Sequence, residues 1–147
     1  MGTNAKFGQT LGNIKETIQL GYNTFSEDEI ANATGDDVIL EVGAIMARKA
    51  DGSLVVFDAT ATDNEGIIVG FNTDERTIPA NGDCIVKIVT GGNIDASVVK
   101  FATGVDWDTQ VTLEDQASPG VGVITRTIKE LVEARGFEIE FGKVLDA

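Results

Sequence analysis

A chain of 147 residues with 42% hydrophobic content can bury one real core and is of single-domain size. Its 24 acidic residues against 11 basic ones give a net charge of −13, spread along the whole chain. Such a surface stays soluble and repels nucleic acid and anionic lipid. With no histidine at all, Ser-His and Cys-His catalysis is excluded and the commonest metal ligand is missing.

Residues 1–35 read as an N-terminal arm, with glycines at 2, 8, 12, 21 and 35 and scattered apolar residues. Two local structures fit it. Asn13-Ile14-Lys15-Glu16 has the form of a capping box, and Phe7, Leu11, Ile14 and Ile18 recur at helical spacing. Alternatively, Ile18, Leu20 and Tyr22 alternate with polar residues as a strand does. The arm lacks the basic start and continuous apolar run of a secretory signal, so synthesis in the cytoplasm is expected.

From residue 36 onward the texture is that of a β-rich domain, extending to residue 147. Val38 to Leu40 and Ala44 to Lys49 read as strands. The apolar segment Val38 to Ala47 is interrupted by Glu41 and Gly43 and is too short to span a bilayer. Asp51-Gly52 predicts a hairpin into Leu54 to Phe57, because glycine takes positive φ without strain and aspartate tolerates it. Gly66 to Phe71 reads as a buried strand and Pro79-Ala80-Asn81-Gly82-Asp83 as a turn. Cys84 to Val89 then resumes the strand pattern until Gly91-Gly92 is expected to break it. Cys84, the single cysteine, permits no internal disulfide and reads as a buried, inert thiol beside Val86 and Ile88.

The period then changes. Ser118-Pro119 suits a helix start, with Val121, Ile124, Ile128, Leu131 and Val132 at helical spacing. Glycines at 120 and 122 weaken that first turn, and Thr127 with Glu130 forms a second capping box, a later start for the regular helix. Gly136 ends it, and Phe137, Ile139 and Phe141 alternate as a last, half-buried strand.

Catalytic motifs are absent. No glycine-rich nucleotide loop occurs, and Lys/Arg clusters with interleaved aromatics are missing. Asp58 to Gly66 does not match the calcium-loop spacing and reads as a solvated acidic loop. Asp106 and Asp108 flank Trp107, a constellation compatible with a sugar site or a carboxylate pair, although neighbouring acids are common by chance in this chain. No catalytic residue, cofactor or metal site is assigned, and the chain is not read as an enzyme.

The order of Val42-Gly43-Ala44-Ile45-Met46-Ala47, Gly52-Ser53-Leu54-Val55-Val56-Phe57-Asp58, Gly66-Ile67-Ile68-Val69-Gly70-Phe71, Asn81-Gly82-Asp83-Cys84-Ile85-Val86 and Gly91-Gly92-Asn93-Ile94-Asp95 resembles the head decoration proteins of tailed phages, of the lambda head protein D type. Arg126 to Gly136 followed by Phe137-Glu138-Ile139 is similar to that family's terminal helix, glycine and strand. The likeness spans roughly residues 38–141. It implies an α+β, mainly β fold: a small β-barrel or β-tulip-like domain with one C-terminal helix and an N-terminal arm. It also implies a homotrimer at the three-fold and quasi-three-fold points of an expanded head, bound to the major capsid protein. The protein would lie on the outer surface of the virion head after assembly in the host cytoplasm, touching neither nucleic acid nor membrane. The arm would carry the contact, through Phe7, Leu11, Ile14, Ile18, Leu20 and Tyr22, as an added strand or as a helix in a groove. The rival expectations are a tail or neck β-domain of a virion, and an acidic carbohydrate-binding or hydrolytic domain using Trp107 with Asp106 and Asp108.

Overall fold

A computed structural model describes residues 17–49, 51–59, 67–113 and 124–142. The fold is mainly β with a single α-helix and one 3-10 turn, Ala96–Val98, among those residues: an α+β domain built round a ring of strands. In chain order the elements are β1 (Gln19–Ala31), β2 (Val38–Leu40), β3 (Ile45–Arg48), β4 (Leu54–Val56), β5 (Ile68–Asn72), β6 (Arg76–Ile78), β7 (Asp83–Asp95), β8 (Gln110–Leu113), β9 (Ile124–Thr127), α1 (Ile128–Ala134) and β10 (Phe137–Glu140). The main sheet has the order β1-β4-β3-β5-β7-β10, and a further β1–β7 pairing closes its first five strands on themselves. Closure removes the open edges that an isolated sheet presents to solvent.

Local chemistry accounts for the ring's tight corner. Between β3 and β4, Gly52 adopts φ +91°, Lys49 N–H donates to the Ser53 carbonyl, and the Asp51 carboxylate accepts from Ser53 N–H and Oγ–H. These bonds hold the Asp51 carboxyl below its usual range, with the Ser53 hydroxyl as the main cause. The expected Asp-Gly hairpin is therefore present.

Alternation along the strands sends side chains into two hydrophobic clusters. Ile30, Met46, Leu54, Val86 and Ile88, contributed by ring strands, pack with Leu40 and Ile78 of the antiparallel β2–β6 ribbon. Ile45, Phe71, Val89 and Ile94 instead pack with Ile128 and Val132 of α1 and with Phe137 of β10. Ile45 and Met46 are adjacent yet enter different clusters, as a strand's two faces require. Gly70 sits where β5 passes β7: a Cβ there would lie 2.1 Å from the Val89 carbonyl oxygen, so this crossing needs glycine.

Three expectations need correction. The arm does not extend to residue 35, because β1 is an integral ring strand paired with β7 from Gln19 to Ala31, and Ile18 is fully buried. Gly91-Gly92 does not end its strand. β7 continues to Asp95 because β1 on one side and β10 on the other supply its backbone partners. Thirdly, Ile124 is not helical: of the two starts the sequence offers, α1 takes the later one, at Thr127. Thr127 Oγ accepts from Glu130 N–H while the Glu130 carboxylate accepts from Thr127 N–H, the reciprocal bonding of a capping box. Those bonds lower the Glu130 carboxyl below its usual range. Ile124 to Thr127, placed in a helix by periodicity, form β9 against β8. Ser118 to Val123 and the larger part of the Asp58–Gly66 loop lie outside the described residues.

Candidate interaction surface

Of the residues assigned to the arm, Phe7, Leu11 and Ile14 lie outside the described residues. Ile18 belongs to the core. Leu20 and Tyr22 are exposed on β1, and the side chain of Tyr22 is wholly in solvent, at 105% of its reference area.

The backbone around Tyr22 is unusual. Tyr22 has φ +45° and follows Gly21 at φ +150°, and the β1–β7 register shifts between Gln19 and Gly21, between Gly21 and Thr24, and between Thr24 and Phe25. A bulky residue with positive φ is disfavoured because its Cβ crowds the following carbonyl. Asn23 holds the distortion in place: its Nδ2–H₂ donates to the carbonyls of Gly91 at 3.1 Å and Asn93 at 2.9 Å, and its Oδ1 accepts from Gly21 N–H at 2.8 Å. Opposite, Gly92 has φ +101°, and a Cβ there would meet the Tyr22 carbonyl oxygen and Asn23 Nδ2, each at 2.7 Å. The bulge therefore depends on residues from both strands.

At the other end of this ribbon the surface is charged. Glu27 faces Lys87 across the strands, and Lys87 Nζ lies 4.5 Å from the Phe25 ring centroid, within cation–π range. Asp28 forms an ion pair with Arg48 of β3, and that hydrogen bond is the main cause of a lowered Asp28 carboxyl pKa.

Two further surfaces are concave. A groove of about 640 Å³ is lined by Ile39, Val56, Phe57 and Phe101, with Glu41, Asp58 and Lys100 also in its walls. A smaller hollow of about 310 Å³ lies among Asp106, Trp107, Asp108, Lys129 and Phe141. Within it Trp107 is half-buried, with edge-to-face contacts to Phe101 and Phe141 at centroid separations of 5.2 and 5.6 Å. Asp106 Oδ1 accepts from Asp108 N–H at 2.9 Å and from Thr109 Oγ–H at 3.3 Å. Asp106 thus organises a turn, and Trp107 packs two aromatic neighbours. No group of three or more potential metal ligands occurs among the described residues. Cys84 is a free thiol, half-buried rather than fully enclosed as its strand position suggested.

No protein-family model matches this chain, and no curated protein matches it.

Sequence reasoning singled out Tyr22 by alternation, but not its left-handed backbone or the role of Asn23. Gly21 and Gly92 carried a signal, since glycine within a strand pattern marks a bulge or a close approach. The partnership between them joins positions seventy residues apart and is invisible along the chain.

Proposed function

We propose that this chain is a decoration protein of a tailed-phage head, a non-enzymatic trimer that fastens to the capsid lattice and resists its splaying under the pressure of packaged DNA. The observation that carries this reading is mechanical. The leading residues, which would grip the major capsid protein, run directly into β1, and β1 pairs with β7 from Gln19 to Ala31, residue by residue from Phe25 onward. Tension entering at the N-terminus of β1 acts along the strands. It loads the ladder of backbone hydrogen bonds in shear, so many bonds must yield together, whereas a peeling load breaks them one at a time.

Further support comes from where the quoted glycine and turn pattern falls. Its segments contribute β3, β4, β5 and β7 of one closed ring, and the terminal helix and strand pack against that ring. Three leading segments per trimer make the second and third attachments effectively intramolecular, so modest individual affinity becomes firm attachment. A carbohydrate-binding reading has less support, because Asp106 is engaged in its turn and Trp107 in aromatic packing.

The test mixes purified protein with undecorated expanded heads and maps added density. Saturation at three-fold and quasi-three-fold points is expected. A version lacking residues 1–16 retains Ile18 and the whole of β1, so it should fold and fail to attach. Failure of the intact chain to bind such heads overturns the reading. Full attachment by the shortened chain overturns the gripping role of the leading residues.

A further inference from the structure

We propose that the bulged end of the β1–β7 ribbon, anchored by Tyr22, is the surface through which copies of this chain meet about a rotation axis. The inference rests on the trimeric reading above and assigns it a face.

Each copy carries −13, so copies repel at long range, and a face without charge adds no close like-charge contact when they meet. At a rotation axis the constraint is stricter, because every residue near the axis faces its own duplicates and a single charge there is repeated against itself. From Thr17 to Ser26 there is no charged residue, nor from Ile88 to Ile94, and β1–β7 pairing sets these two runs side by side. The neutral surface ends at Lys87 on one flank, and at Asp95 of β7 and Glu138 of β10, the partner of Asn93, on the other.

Other exposed apolar residues lack such surroundings. Ile39 and Val56 share their groove with Glu41, Asp58 and Lys100. Phe141 lies under Lys129, beside Asp106 and Asp108. Ile85 has Asp83 and Lys87 two residues to either side and Glu29 opposite.

The neutral region also displays side chains suited to a protein contact. Leu20 and Tyr22 are exposed there, and the core of an interface favours aromatics and few charges; Phe25, with Lys87 Nζ over its ring, marks the charged border of the region. Tyr22 is held outward by a strained backbone that Asn23 and Gly92 sustain. Strain upheld from both strands is characteristic of a functional position, and a tyrosine that supplies area with few rotatable bonds is a common interface anchor.

The experiment measures self-association of the full-length protein by sedimentation velocity over a wide concentration range. Wild type is expected to associate. Tyr22→Ala should weaken association by about 30-fold, the effect of losing a binding hot spot, and Tyr22→Asp should weaken it further and make the residual association salt-dependent. Ile39→Asp, which alters an exposed apolar residue outside the neutral region, should leave association unchanged. Circular dichroism and thermal unfolding establish that each variant is folded. A wild type that stays monomeric throughout overturns the proposal, as does unchanged association in folded Tyr22→Asp. Head binding is scored separately. Association through Tyr22 without head binding defeats only the decoration reading, while head-bound trimers of Tyr22→Asp defeat only this assignment.

Discussion

The two ends of the β1–β7 ribbon are built on opposite plans. From Phe25 to Ala31 the strands pair residue by residue with Val89 to Asp83, Ile30 and Val86 enter the core, and the outer surface carries Glu27, Asp28, Glu29 and Lys87. From Gln19 to Thr24 the register slips repeatedly, charges vanish, and a tyrosine stands in solvent on left-handed backbone. The regular end derives its stability from burial. The bulged end spends part of that stability to hold a side chain where it contributes no packing within its own copy, as sites of recognition commonly do.

Breaking the regular end should have the largest effect. Ile30→Ala leaves a cavity beside Val86 and Leu54, with an expected loss of roughly 2–4 kcal/mol in denaturant unfolding. Gly70→Val, which forces a side chain against the Val89 carbonyl, should lose about 3 kcal/mol or more by the same measurement. Loss of only a few tenths there would mean that β5 and β7 separate easily.

At the bulged end the effects are smaller and differ in sign. Asn23→Ala removes bonds to Gly21, Gly91 and Asn93 and should lower stability by about 1–2 kcal/mol. Tyr22→Gly should do the reverse. It relieves a left-handed conformation that disfavours side-chain-bearing residues by roughly 1–2 kcal/mol and removes no buried contact, so the melting temperature should hold or rise. Marked destabilisation by Tyr22→Gly would show that the tyrosine supports its own fold.

The smallest effect concerns the Asp28–Arg48 pair. Arg48 lowers the Asp28 carboxyl below its ordinary value of 3.8, so the pair's contribution is complete above that value and is lost as the pH falls through the lower folded value. Both side chains are about one-third exposed, at 36% for Arg48 and 31% for Asp28, which limits the contribution to below about 1 kcal/mol. Asp28→Asn should therefore lower neutral stability by less than about 1 kcal/mol, flatten the acid side of the stability curve by the same amount, and leave stability at the acid end almost unchanged.

Much of the architecture was legible along the chain because it is local. The Asp51-Gly52 hairpin, the Thr127–Glu130 capping box, the Gly136 stop and the Phe137–Ile139 alternation each depend on residues within a few positions. The arm boundary was misread because the glycines and scattered apolar residues of positions 1–35 form no sustained pattern, and although the alternation of Ile18, Leu20 and Tyr22 suited a strand, only β7 beside it shows that the strand belongs to the ring. Gly91-Gly92 was misread for the mirror-image reason, since those glycines accommodate the bulge of β1 rather than ending β7.

By itself the sequence determined the mainly β class, the single terminal helix among the described residues, the lack of histidine chemistry and the two neutral runs in an otherwise acidic chain. Only the tertiary structure decided that those runs lie side by side, that β1 closes the ring, and that Asn23 and Gly92 hold Tyr22 outward. Composition and short-range periodicity are properties of neighbours in the chain. Strand pairing over some seventy residues is set by which apolar faces can be buried together, and that is a property of the whole fold.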